Sequence, residues 1–342
     1  MSTHAPRYDH LMAMTDEIGL FEHALFTRPR PEHGYCVDDV ARGLLVLCRA
    51  EVADVGPWAG DLGQVAWRYL RFLLEAQAPD GRIVNRRDVH GVWHGMAGVA
   101  DCWGRALWGL GAAVSRGGDS ELTQRAMVGF EVSARMRSPW MHAMVFAGLG
   151  AAEVLRVDFG HVGARALLAD AVAVVGRPGA DRAWPWPRPR LTYANATVPE
   201  LFLAAGYYLV DDSLLDIGLS LLEWLLDVET AQDHLSVTPV GGWAQGEARP
   251  GFDQQPIEVS CLADACARAF ELTGEPRWAE AVELAAAWFL GANDAGVPLA
   301  DERSGGCRDG LEAHGRNENQ GAESTLALLS TLQQARRLQP VR

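Results

Sequence analysis

The chain has 342 residues and a formal net charge of -14, with 49% hydrophobic and 22% charged residues, the balance of a globular protein rather than a disordered or membrane-spanning one. All 30 basic residues are arginines, and the missing lysine amine excludes Schiff-base chemistry, lysine-anchored pyridoxal phosphate and a P-loop. The acidic balance also argues against nucleic acid, whose phosphates must be met by clustered cations.

Apolar periodicity is helical nearly throughout and predicts twelve helices, at 8–24, 38–52, 62–77, 99–116, 119–136, 138–155, 161–176, 193–209, 212–228, 256–273, 276–291 and 320–337. They alternate between two kinds. One kind is amphipathic: "LGQVAWRYLRFLLEAQ" puts Val65, Tyr69, Phe72 and Leu73 on one stripe and Arg68, Arg71 and Glu75 on another. The other is apolar almost all round and rich in small residues, as in "ALWGLGAAV", "MVFAGLGAAEVL" and "ELFLAAGYYL", and must be covered on every side. Six of each predict an all-α fold, an (α/α)6 barrel or toroid of six inner and six outer helices, in one domain over residues 1–342. Solenoid repeats would keep a nearly fixed period, whereas these inner helices start at unequal intervals, near 38, 99, 138, 193, 256 and 320.

No apolar run reaches the length of about 18 residues needed to span a bilayer, and the first 20 residues lack a basic segment followed by an apolar block. No membrane partner and a cytoplasmic location are expected. The cysteines at 36, 48, 102, 261, 266 and 307 never form C-x-x-C and are expected reduced and mostly buried. A zinc site of Cys261, Cys307 and His314 fits no standard ligand spacing, so neither metal nor cofactor is expected.

The long connections precede the inner helices and hold the unusual residues: "HGYCVDD", "HGMAGVADCWGR", "SPWMH", "WPWPRPRLTYANA", "GGWAQGEARPGFDQQPIE" and "GGCRDGLEAHGRNENQGAE". Helix capping accounts for some of them. Asp38, Asp39 and Asp101 suit first-turn positions, and Pro256 with Glu258 makes a good helix start. Capping needs one short polar group per helix, however, and Gln254, Gln255, Asn319 and Gln320 exceed that need. A sugar explains the mixture, because its hydroxyls want paired donors and acceptors in fixed directions while its C–H face lies on aromatic rings. Trp140, Trp184, Trp186, Tyr193 and Trp243 fall in these segments; "WPWP" also reads as a stiff loop packed on the barrel.

"GYCVDDVAR", "GRALWGLG", "LTYANATVPELFLAAG", "FDQQPIE" and "NQGAESTLALL" resemble a bacterial family of cytosolic (α/α)6-barrel proteins labelled glycosyltransferase-like or glycoside-hydrolase-like, with a six-hairpin glycosidase-type toroid. The resemblance covers almost the whole chain and implies this fold and a carbohydrate ligand. The chain departs from the pattern at Val37, Val40, Ala194 and "PRPR".

The leading expectation is glycoside hydrolysis, or related glycosyl transfer, on a small oligosaccharide by two carboxyl groups. Glu258 is the expected general acid and Asp39 or Asp101 the base. Asp38 points away from Asp39, and Arg105 lies one turn after Asp101 to pair with it or hold a hydroxyl. Tyr35, Asp38, Arg105, Trp140, His142, Trp186, Tyr193, Asn195, Trp243, Asp253, Gln254, Gln255, Asn319, Gln320 and Glu323 are the expected substrate contacts. The alternatives are epimerisation or isomerisation by histidines, with His142, His94 and His314 as candidates, and a non-catalytic sugar-binding partner of a glycosyltransferase or phosphorylase in a sugar-processing pathway.

Overall fold

A computed structural model describes residues 5–51, 56–58 and 60–339. Among them lie twelve α-helices: α1 (Asp9–Ala13), α2 (Val37–Cys48), α3 (Leu62–Ala76), α4 (Asp101–Arg116), α5 (Ser120–Ser133), α6 (Met141–Val157), α7 (Val162–Val175), α8 (Thr197–Leu209), α9 (Asp212–Val228), α10 (Pro256–Thr273), α11 (Pro276–Phe289) and α12 (Ala322–Arg337). Strands are two or three residues long and pair only in small local sheets.

Eleven helices fall where periodicity puts them; the first is much shorter than the expected 8–24. Asp16 is the reason. Its carboxylate accepts the main-chain N–H groups of Ile18 (2.8 Å) and Gly19 (3.0 Å), closing a turn that competes with further helix. Thr15 and Leu20 then bridge, and Phe21 stacks on Tyr35 with ring centroids 5.0 Å apart.

The chain divides into two compact units. One is Leu11–Val175 with Tyr208–Val210; the other holds the described residues up to His10, Gly176–Tyr207 and those from Asp211 onward.

In the Leu11–Val175 unit, α4 is buried continuously from Cys102 to Val114 and α6 from Ala143 to Leu155. Glycine permits their contact. A methyl group on Gly104 would fall on the Ala143 carbonyl, one on Gly111 on the Gly150 carbonyl, and one on Gly150 on the Leu107 carbonyl. Backbone therefore meets backbone at three points along about two turns. α3 shows the expected stripe, with Val65, Tyr69, Phe72 and Leu73 inside and Arg71 and Glu75 in solvent. Asp119 caps α5, accepting from Glu121 (2.8 Å) and Leu122 (3.0 Å).

In the second unit, α8, α10 and α12 are the helices buried along most of their length. α10 starts at Pro256 and stops at Gly274, whose φ of 69° is the left-handed conformation a helix terminus needs. Polar residues inside are paired: Arg268 of α10 meets Glu200 of α8 at 3.0 Å, and Asp264 accepts from Gln334 of α12 at 2.6 Å.

Candidate active site

α2 begins where Tyr35–Cys36 pairs with Arg86–Arg87 in a small antiparallel sheet. Asn85, just before that second strand, takes the N–H of Val37 on both its main-chain oxygen (3.0 Å) and its side-chain oxygen (3.1 Å). This fixes the start of α2 and with it Asp38, the next residue. α4 starts at Asp101, and α6 starts after Trp140. The three helix starts meet at a cavity of about 430 Å³ lined by Asp38, Asn85, Ala100, Asp101, Cys102, Trp140, Met141 and His142.

Asp38 and Asp101 are not capping residues. Neither first turn has a side-chain cap bond, and neither carboxylate accepts a hydrogen bond from a described residue. Two half-buried acids thus face a cavity with their lone pairs unused. Burial raises the Asp101 carboxyl above its ordinary range; the Asp38 charge adds to this, while Arg105 and Arg42 oppose it. Arg105 lies beneath, buried, its guanidinium carbon 3.6 Å from the Phe146 ring centroid. Trp140 is 64% exposed and offers the cavity a free indole.

Of the adjacent acids, both expected in the site, Asp39 as a base and Asp38 as a substrate contact, only Asp38 faces the cavity. Asp39 is buried, held by Arg42 at 2.6 Å and by the Cys36 thiol at 3.1 Å, whereas Asp38 lines the cavity. Successive residues on a helix point about 100° apart, so only one of the two can do so. Tyr35 is core: its ring is fully buried and its hydroxyl donates to Asp16 at 2.5 Å.

In the second unit, Glu258 is 3% exposed and fully engaged. Its carboxylate accepts the N–H of Ala194, and from Asn195 both the N–H (3.1 Å) and the side-chain amide (3.1 Å). These bonds hold the turn before α8, where Ala194 takes a φ of 49°, a left-handed conformation costly to a residue with a Cβ. Burial and then the nearby Glu229 push the Glu258 carboxyl up to about 8, against the three N–H donors. Glu258→Gln is expected to destabilise the protein by about 1–3 kcal/mol, because an amide has one acceptor oxygen for three donors; a melting curve checks this. A carboxyl raised from 4.5 contributes stability that is full below the lower value and lost as pH rises through the higher. The wild-type melting temperature is therefore expected to fall as pH approaches and passes 8, with the Glu258→Gln curve flatter over that range.

Several other expected contacts are used internally. Gln254 donates to Gly251 (2.8 Å) and Asp294 and accepts from Val237 and Trp288, both at 3.3 Å, so all four of its bonds are made. Gln320 donates to Asp301 (2.8 Å) and accepts from Ser304 (2.7 Å). Trp186 is buried in an indole cluster, 6.0 Å from Trp224, which in turn meets Trp184 at 5.3 Å. Trp243 packs on Trp184 at 5.0 Å and donates to the Glu247 carbonyl. The "WPWP" loop is thus packed structure rather than a sugar platform. Asp253 is exposed, while Tyr193, Gln255, Asn319 and Glu323 are half-buried.

The cavity's Asn85 and Cys102 escaped sequence reading. Cys102 adjoins a chosen residue, but Asn85 lies early in the connection from α3 to α4, well before the segment "HGMAGVADCWGR". Glu229, the buried partner of Glu258, has no local signal at all.

Cys261, Cys307 and His314 form no metal-binding group among the described residues. Glu22, Cys36 and Asp39 lie close enough to share an ion, but Arg86 and Arg42 already neutralise the two acids.

No protein-family description matches the chain, and no curated protein is similar to it in sequence. Solved structures are similar in fold. A sugar epimerase from a ruminal bacterium aligns over 96% of this chain and 95% of its own at a TM-score of 0.70 and 12% identity. The fold is the (α/α)6 barrel. Cellobiose 2-epimerase from Spirochaeta thermophila follows, at a TM-score of 0.67 and 13% identity over 95% of this chain and 92% of that one. A metagenome-derived glycoside hydrolase family 9 endoglucanase matches over 92% of this chain and 70% of its own, with a TM-score of 0.64 and 13% identity. Such identities establish the (α/α)6 barrel alone, and the chemistry rests on this chain's own residues.

Proposed function

We propose that this barrel is a sugar-processing enzyme whose reaction is carried by Asp38 and Asp101. The observation that carries the reading is their placement: two carboxylates on different helices, without hydrogen bonds from the described residues, facing one cavity beside an exposed indole. A raised carboxyl suits Asp101 to give a proton to a leaving oxygen, and Asp38 suits the base that activates water. Solved barrels of this fold include sugar epimerases and an endoglucanase, which supports a carbohydrate substrate. The cavity volume lies within the range typical of small-ligand sites, in keeping with a mono- or disaccharide.

His142 in the lining favours a second reading, in which an imidazole moves a proton at a sugar carbon during epimerisation or isomerisation. One experiment separates the two. The protein is incubated in heavy water with cellobiose, mannobiose, lactose, mannose and N-acetylglucosamine. New reducing ends identify hydrolysis; deuterium at carbon without cleavage identifies epimerisation. Binding without either change supports a non-catalytic sugar-binding role, and no binding of any member removes the carbohydrate reading.

No described helix is long and apolar enough to cross a membrane, and we place the protein in the cytoplasm as a proposal. Residues 1–342 are further proposed to melt as one domain. A single calorimetric transition is expected, with van't Hoff and calorimetric enthalpies equal; two resolved transitions would divide the chain.

A further inference from the structure

We propose that Asn85 contacts the substrate and that Asn85 and Asp38 together grip one hydroxyl group. The proposal rests on the sugar-processing reading and adds a residue and a recognition rule to it. The main-chain N–H of Val37 can bond only to an acceptor, so its 3.1 Å contact fixes which end of the Asn85 amide is oxygen. The NH2 end is then the one left over, and Asn85 has no other side-chain hydrogen bond among the described residues. Asn85 and Asp38 both line the cavity, and Asp38 directly follows Val37, whose N–H Asn85 accepts.

The chemistry of the lining shows what this NH2 group is for. A hydroxyl both donates and accepts, whereas the ionised carboxylate of Asp38 only accepts and the proton of Asp101 is committed to the leaving oxygen. Asp38 alone would satisfy the proton of a bound hydroxyl and leave its oxygen bare. Asn85 supplies a donor beside that acceptor. A hydroxyl between them gives its proton to Asp38 and receives the Asn85 N–H, and an analogue without that hydroxyl leaves both protein groups unpaired.

Asn85→Asp is the decisive variant, because its carboxylate still accepts from Val37 while the donor is gone. Binding of cellobiose and mannose is measured by calorimetry for wild type and variant, together with melting temperature, and then with the monodeoxy analogues of whichever sugar binds wild type more tightly. The melting temperature is expected to stay nearly constant while affinity falls at least about tenfold. One deoxy position should bind both proteins equally, since the group that Asn85 serves is already absent; the added charge of the variant cannot produce that pattern. Unchanged affinity in Asn85→Asp, or a loss that persists at every deoxy position, overturns the proposal and leaves the sugar-processing reading standing. Failure of wild type to bind cellobiose, mannose or the rest of the earlier panel overturns both.

Discussion

Asp101→Asn is expected to lower turnover by about 10²–10⁴-fold, the usual worth of a positioned proton donor, while barely moving the melting temperature. The two outcomes separate because the carboxylate accepts no hydrogen bond from a described residue, so the fold loses a charge attraction to Arg105 and Arg42 and the interaction of a charge with the start of α4. That interaction is worth about 0.3–1 kcal/mol. Asparagine keeps the shape and cannot give up a proton. In wild type the raised Asp101 carboxyl should place the alkaline limb of the pH–rate profile above the ordinary aspartate range, and this limb should vanish in the variant. Initial rates and melting curves on the same preparations decide the matter; turnover within tenfold of wild type would remove Asp101 as the acid.

The largest loss of stability is expected from Gly150→Ala. A methyl group there meets the Leu107 carbonyl carbon at 2.5 Å and the Trp108 nitrogen at 2.8 Å, both backbone atoms that cannot swing aside. α4 and α6 must separate, which opens gaps along a buried seam and costs about 3 kcal/mol or more. Helix propensity works the other way, since alanine is better than glycine by about 1 kcal/mol, but it does not offset the clash. Gly63→Ala is the matched control. Nothing lies within 4 Å of its added methyl on α3, so a gain of a few tenths to about 1 kcal/mol is expected. Thermal melts should shift in opposite directions. Because α4 and α6 carry Asp101 and His142 at their starts, Gly150→Ala should also impair any activity that needs both.

The helices were legible because burial dictates composition so strongly: α4 and α6, buried without a break, have almost no polar residue after their first turns. Helix ends were legible where one residue sets them, as Pro256 and Gly274 do for α10. The site was legible only in part. The positions of Asp38, Asp101, Trp140 and His142 before or at inner helices pointed to the cavity they line. Choosing between Asp38 and Asp39 required the helix phase, which one residue of uncertainty in the start of α2 reverses. Glu258 was misleading for a physical reason. A carboxylate clamping a left-handed turn and one serving a substrate carry the same local signature, and only its partners at Ala194 and Asn195, more than sixty residues earlier, distinguish them.

Among the twelve tryptophans, Trp140 alone is predominantly exposed, and it stands at the rim of the cavity. Water relaxes around an excited indole and shifts its emission to longer wavelengths, and only an accessible ring is quenched by iodide. The red edge of the fluorescence spectrum therefore reports on this one ring, free of label or engineering. A sugar that covers it will shift the edge to the blue and shield it from iodide, so occupancy becomes visible even when no product forms.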